Sequence, residues 1–330
     1  MAVTKTLPVH SDVEHLRRDA RDLLARMRAR DEQALRRLAA HAPGLPVALS
    51  SAQLVIAREY GFSSWAQLKK TVGGLSTGGV HYDRIGRGYA HYRRADPRIA
   101  AVVNGALGDA RTVVNVGAGT GSYEPLDRPV IPVEPSTAMA IQRDPERVPA
   151  VLGVAESLPL ADHSADAVMA LLTMHHWSNV TRGLSEMLRV ARRRIVLMTI
   201  DVEVQSSMWL FRDYLPELIE RDRREFPAIS YLVTTLPEPV QVLNVPVPAD
   251  CTDGFMLAFW GRPEAVLDPG ARAATSGFAR TPPERAAEVA AQLDRDLKTG
   301  EWDLRNGQLR TLSELDVGLR VLVSGPVSCQ

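Results

Sequence analysis

The chain has 330 residues, 45% of them hydrophobic, with 39 acidic against 39 basic side chains and a pI near 7.1. That balance leaves no electrostatic footprint for nucleic acid or an anionic membrane, and no apolar run approaches the ~20 residues that span a bilayer. Two cysteines, Cys251 and Cys329, exclude a disulfide framework or a cysteine zinc site, and the opening MAVTKTLPVHSD holds no apolar signal region, so the expected compartment is the cytoplasm.

Residues 1–75 read as a small all-α accessory domain. After Ser11, Leu16, Ala20, Leu23, Leu24 and Met27 recur at helical spacing. Asp31 is placed to cap a second helix carrying Leu35, Leu38 and Ala39, which Pro43, Gly44 and Pro46 break. Ser50 or Ser51 opens a third helix over Ala52–Tyr60, and Phe62 and Trp65 lead into a short fourth ending near Val72. Basic and acidic residues are interleaved here, the pattern of a solvated helix surface; a basic docking face is the competing reading. The segment SAQLVIAREYGFSSWAQLKK, Ser51–Lys70, resembles a helical module that precedes other domains, ankyrin repeats among them, in bacterial proteins; the resemblance specifies no chemistry. A Gly/Ser/Thr stretch follows, and residues 76–82 are expected to be a flexible linker.

From residue 83 onward the pattern is α/β. Pro97–Leu107 reads as a helix, and the run VVNV, Val113–Val116, as a buried parallel strand. Val130–Val133, Val148–Val154, Ala165–Leu172 and Ile195–Ile200 are further short apolar runs, with an amphipathic helix over Ser178–Val190. Trp209–Arg221 and Thr252–Leu267 are expected to be helical, and Pro282–Leu297 is a helix with Ala286, Val289, Ala290 and Leu293 on one face. Val240–Val247 alternates like a strand and is expected to pair antiparallel with a closing strand, Leu319–Ser324, for about seven strands. The predicted architecture is a Rossmann-like, mostly parallel sheet with an antiparallel last strand, covered by helices on both faces.

The chain is organised around VVNVGAGTGSYEP. Gly117, Gly119 and Gly121 let the backbone turn tightly and approach a ligand. A dinucleotide loop requires G-x-G-x-x-G, whereas the spacing here is G-x-G-x-G. A phosphate loop requires a lysine after its last glycine, whereas Ser122, Tyr123 and Glu124 follow here. The acids favour a cationic, amino-acid-bearing cofactor over a pyrophosphate.

The pattern V-x-V-G-A-G-T-G-S resembles the cofactor loop of class I S-adenosylmethionine-dependent methyltransferases of the type 11 kind. The downstream order agrees: Glu134 at the end of the second strand, GVAESL at Gly153–Leu158, DHSADAVM at Asp162–Met169 and LLTMHHW at Leu171–Trp177. The resemblance implies S-adenosylmethionine as cofactor. The His and Asp residues lack ligand-like spacing in one place, so no metal is expected, and the expected substrate is a small molecule. It assigns the cofactor to Asn115, Gly117, Ala118, Gly119, Thr120, Gly121, Glu134, Pro135, Ala155, Glu156, Leu172 and Thr173, with Tyr89 and Arg93 closing over its carboxylate. A carboxylate such as Glu134 accepts both hydroxyls of a ribose; a solvated strand end is the competing reading.

His175 and His176 are the candidate catalytic bases, because histidine titrates near neutral pH; a hydrogen-bonded loop anchor is the alternative. Consecutive side chains diverge, so one of the two is expected to face the pocket. Trp177, Trp209, Tyr214, Phe255 and Trp260 are the candidate substrate contacts, from lid segments at about 203–239 and 250–315; core packing competes for the aromatic residues. Thr199 and Asp201, on the rim after the fifth strand, are weaker candidates. The expected activity is methyl transfer to a small organic molecule, on oxygen before carbon or nitrogen, of the kind found in bacterial secondary metabolism. The alternative is a non-catalytic S-adenosylmethionine-binding protein that docks a partner through its helical domain. Neither reading requires nucleic acid or a membrane, and a homodimer is left open.

Overall fold

The computed structural model describes residues 13–60, 62, 64–66, 68–69 and 92–325. The expected linker, most of the expected fourth helix, and Tyr89 lie outside these residues. Three N-terminal helices, α1 (Val13–Arg28), α2 (Glu32–His41) and α3 (Leu49–Glu59), bury Leu16, Leu23, Ala34, Val55 and Ile56 in one cluster. Asp31 caps α2 as expected, accepting from the Ala34 amide at 2.8 Å. The start of α3 differs: Ser51 is buried inside the helix, which begins at Leu49 behind Ala48 with no side-chain cap. The buried carboxylate of Glu59 is held by Arg37 at 2.6 Å, tying α3 to α2.

The main sheet has seven strands: β1 (Val113–Val116), β2 (Val130–Glu134), β3 (Val151–Leu152), β4 (Ala165–Leu171), β5 (Ala191–Ile200), β6 (Val240–Asn244) and β9 (Leu319–Ser324). Their order is β3-β2-β1-β4-β5-β9-β6. The first five run parallel. β9 inserts antiparallel between β5 and β6, matching Ile195 and Val240 to Ser324. The antiparallel pairing expected for Val240–Val247 therefore holds over Val240–Asn244, while β7 (Val247–Pro248) leaves the sheet to pair with β8 (Glu314–Leu315). β3 is shorter than its apolar run because Pro149 has no amide to donate to the ladder.

Helix α4 (Pro97–Leu107), capped by Asp96, and α5 (Thr137–Ile141), capped by Ser136, stand before and within the parallel half. Helix α6 (Val180–Val190) buries Leu184, Met187 and Val190 against the sheet. The second half corrects two helix expectations. Trp209–Arg221 is interrupted: a wide turn over Leu210–Tyr214 ends where Pro216 starts α7 (Pro216–Glu225), because proline suits a helix start and not its interior. Thr252–Leu267 forms two short 3₁₀ turns, Met256–Phe259 and Pro263–Leu267, on either side of Gly261. After α8 (Ile229–Thr235), α9 (Pro283–Thr299) is the long helix the sequence predicts, stopped by Gly300 at φ +81°.

Leu322 is fully buried in β9, between the ladders to β5 and β6. Leu322→Ala should destabilise the fold by about 3 kcal/mol through lost contact and residual cavity, read as a lower urea midpoint at unchanged denaturant slope.

Candidate active site

The strands place the candidate residues along one rim. β1 ends at Val116, β2 at Glu134, β4 at Leu171 and β5 at Ile200. Ligands of open α/β sheets bind beyond such carboxyl ends. A cavity of about 310 Å³ lies there. Its first set of walls comes from the loops after β1, β2 and β3: Gly117–Thr120, Glu134, Pro135, Met139 and Val154–Glu156.

All three loop glycines have left-handed backbones, with φ of +71° at Gly117, +53° at Gly119 and +94° at Gly121. A Cβ on Gly117 would collide with Thr173 Oγ1, so this glycine also admits the turn after β4. That turn is itself strained: Leu172 adopts φ +52°, held by its amide on the Met198 carbonyl at 2.8 Å.

Glu134 is buried at the end of β2, and its two oxygens accept from the amides of Gly119 and Ser136 at 2.7 and 2.8 Å. Burial outweighs these bonds and raises its carboxyl to about 7. Glu124, by contrast, does not make the loop acidic. It is buried against Arg143, 2.7 Å away, with Asn115 Nδ2 at 2.9 Å and Arg147 at 3.4 Å. Arg143 is 19 residues distant and its role was not readable from the sequence. The Asn115 Oδ1 atom is buried without a partner beside the cavity.

A match to a methyltransferase domain family covers residues 114–198. Among solved structures, the chain is similar to a methyltransferase from an antibiotic biosynthesis pathway of Anabaena variabilis: 33% identity over 71% of this chain and 99% of that one, at a TM-score of 0.66. The chain belongs to the class I S-adenosylmethionine-dependent methyltransferases. A Thermotoga maritima S-adenosylmethionine-dependent methyltransferase is also similar, at 17% identity, covering 74% of this chain and 98% of that one, with a TM-score of 0.44. No curated protein matches.

In this methyltransferase the sequence-predicted residues divide. Arg93, Asn115, Gly117, Ala118, Gly119, Thr120, Glu134, Pro135, Ala155, Glu156, Leu172 and Thr173 line the cavity, as do His175, His176, Trp177 and Phe255. Both histidines reach it, contrary to the expectation of one, because they share a single tight turn, Met174–His176, with ring centroids 3.8 Å apart. Gly121 serves the turn and stands behind the wall, near Arg143 and Glu124. Glu156 also acts away from the cavity: its carboxylate accepts from Ser178 Oγ and the Asn179 amide, at the start of α6. Arg93 is engaged by the buried Asp253 at 2.5 Å, and Tyr123 donates to the same carboxylate at 2.8 Å.

Trp209, Tyr214 and Trp260 are core residues, not cavity walls. The reason is their polar ends, which find partners inside the protein. Trp209 Nε1 donates to the Trp260 carbonyl, Trp260 Nε1 to the Val247 carbonyl, and the Tyr214 hydroxyl to Asp296. Thr199 is buried in β5, and Asp201 caps the short helix Val202–Gln205. Instead, the second set of cavity walls comes from residues the sequence reading did not single out: Gln205, Asp222, Phe226, Met256, Ser276 and Arg280. Their common signal is position alone, after β5 and in the lid. Among the described residues no three His, Cys, Asp or Glu side chains come together as metal ligands, and no helix is long and apolar enough to cross a membrane.

Both partners of the Arg143–Glu124 pair are buried. Arg143→Met should cost about 3 kcal/mol by leaving the Glu124 charge undercompensated, and Arg143→Met with Glu124→Gln should recover part of that loss in urea unfolding.

Proposed function

We propose that this methyltransferase transfers a methyl group to an oxygen of a small organic molecule, with His175 as the general base. The observation that supports oxygen is the state of that histidine. His175 is half-buried, yet both ring nitrogens are shut off from solvent and have no hydrogen-bond partner, while the residue lines the same cavity as the glycine loop. Phe226 stacks on its ring at 4.2 Å. Burial, then His176, Arg280, Arg221 and Arg93, hold its pKa well below the usual histidine range. The imidazole is thus neutral at neutral pH, with a lone pair to accept a proton. A hydroxyl nucleophile has a proton to lose, whereas a neutral amine attacks without losing one first.

The residues present fit the cofactor. The left-handed glycine loop leaves backbone space, Glu134 offers a carboxylate beside it, and Asn115 Oδ1 is a buried acceptor with no partner. When bound, S-adenosylmethionine supplies an electrophilic methyl on a sulfonium whose departure leaves a neutral sulfide. Glu134 would hold the ribose hydroxyls, Pro135, Ala155 and the Glu156 backbone would flank adenine, and Leu172 and Thr173 would border the sulfur. The remaining task of the chain is to exclude water and hold the acceptor in line. Residues 1–75 we read as an accessory module whose helices carry their own buried cluster.

The discriminating experiment uses label from S-adenosylmethionine and a panel of hydroxylated, amino and carbon-nucleophile small molecules. O-methyl products are expected, and exclusive N- or C-methylation would sink the reading. With an acceptor in hand, His175→Asn should lower kcat by about 10²–10⁴-fold, and the wild-type rate should not break at the ordinary histidine value of 6.5, because the folded pKa is depressed. Hydroxyls that donate to Glu134 favour its ionised form, whereas the free protein holds it near 7. S-adenosylhomocysteine binding should therefore tighten as pH rises toward 7, by up to about ten-fold per unit, and release protons below it. Calorimetry in buffers of different ionisation enthalpy reads both effects, and Glu134→Gln should remove them.

A further inference from the structure

The acceptor side of the cavity contains a second recognition point that the transfer step does not use. Gln205 ends the short helix Val202–Gln205 just past β5, is 2% exposed and lines the cavity. Its Nε2 donates to Asp222 Oδ2 on α7 at 3.0 Å. An ionised carboxylate only accepts, so this bond fixes which way the amide faces. The carbonyl Oε1 is left pointing elsewhere, buried and without a partner. A buried acceptor with no donor is costly unless a ligand supplies one.

The two arginines that line the cavity are both matched, Arg93 by Asp253 and Arg280 by Glu225. Arg221 stands outside the lining, its Nε 3.9 Å from Asp222 Oδ1 and not hydrogen-bonded to it. A bound anion would meet no unmatched cation on the wall. The remaining walls, Met198, Phe226, Phe255 and Met256, are apolar, with flat rings and adaptable thioethers that suit a planar ring.

We propose that the methyl acceptor is an uncharged, ring-bearing molecule with two hydrogen-bond donors. One is the hydroxyl beside His175, and the other is accepted by Gln205 Oε1, with Asp222 as the positioning residue that holds the amide. This rests on the reading of the cavity as a methyl-transfer site.

The test uses the full chain saturated with S-adenosylhomocysteine and three probes: phenol, catechol and resorcinol. One of the two diphenols should bind about ten-fold or more tightly than phenol, as expected for a site built to pair a second hydroxyl. Gln205→Leu should abolish that ratio while leaving S-adenosylhomocysteine affinity unchanged. Asp222→Asn, whose own amide can donate to or accept from Gln205, should narrow the ratio; a merely structural Asp222 would weaken phenol and the diphenols alike. Equal binding of phenol and both diphenols to the wild type, survival of the ratio in Gln205→Leu, or no binding of any probe overturns the proposal. Failure of S-adenosylhomocysteine to bind is seen before any phenol is added, and overturns the underlying reading instead.

Discussion

Asp253 is fully shut off from solvent, and three distant parts of the chain meet at its carboxylate. Arg93, ahead of α4, donates to Oδ1 through Nε and to Oδ2 through Nη2, and Tyr123, at the tail of the glycine loop, donates to Oδ2 as well. The Gly254 amide then bonds the Tyr92 carbonyl at 2.9 Å. A buried carboxylate is tolerated only when its charge is matched and its lone pairs are used, so the contacts are interdependent. Their effect is to hold the segment before α4, the glycine loop and the lid in one arrangement. Arg93 and Phe255 reach the cavity from that joint.

A second buried ion pair performs the corresponding task behind the loop. Glu124 and Arg143 join the loop after β1 to the segment after α5, and Asn115 in β1 adds a bond to the same carboxylate. Glu134 stands on the cavity side, where its carboxylate accepts from two backbone amides and burial raises its carboxyl. Two acids ten residues apart thus have opposite settings. One is neutralised by an arginine and belongs to the scaffold. The other keeps its charge weakly supported at the wall, which is where a donor from a ligand has most to offer.

What the sequence revealed follows from which signals are local. Left-handed backbone at Gly117, Gly119 and Gly121 can be read because glycine tolerates it. Buried parallel strands can be read because both faces are apolar, as in VVNV. The pairing of Leu319–Ser324 with Val240–Asn244 was legible from alternation and order. The Glu124–Arg143 pair was not, since no periodicity links residues joined only by the turn of the fold. Gln205, Asp222 and Arg280 are ordinary polar letters in sequence, and only the lid's path brings them to one cavity. The helix over Thr252–Leu267 failed because Gly261 and Pro263 punctuate it and the aromatic residues are drawn inward one turn at a time.

That inward draw explains why the lid's largest side chains do not touch the acceptor space. An indole buried without a partner for its N–H is penalised, and in a lid the nearest acceptors are the lid's own carbonyls. Trp209 and Trp260 bond in series through the Trp260 and Val247 carbonyls, whereas Trp302 packs edge-on to Trp209 at 5.5 Å with its own Nε1 buried and unpartnered. These aromatic residues thereby join the core, and the acceptor side of the cavity is left to Phe226, Phe255, Met198, Met256 and a few polar tips. On the proposed reading this division suits the chemistry. Methyl transfer with proton loss to His175 would leave the positive charge on that imidazole. Arg93 and Arg280 are each paired with a carboxylate, which moderates their field, while these two and Arg221 still oppose positive charge on His175. With the lining arginines paired, discrimination among acceptors falls to hydrogen bonds, where a single misplaced donor is felt most.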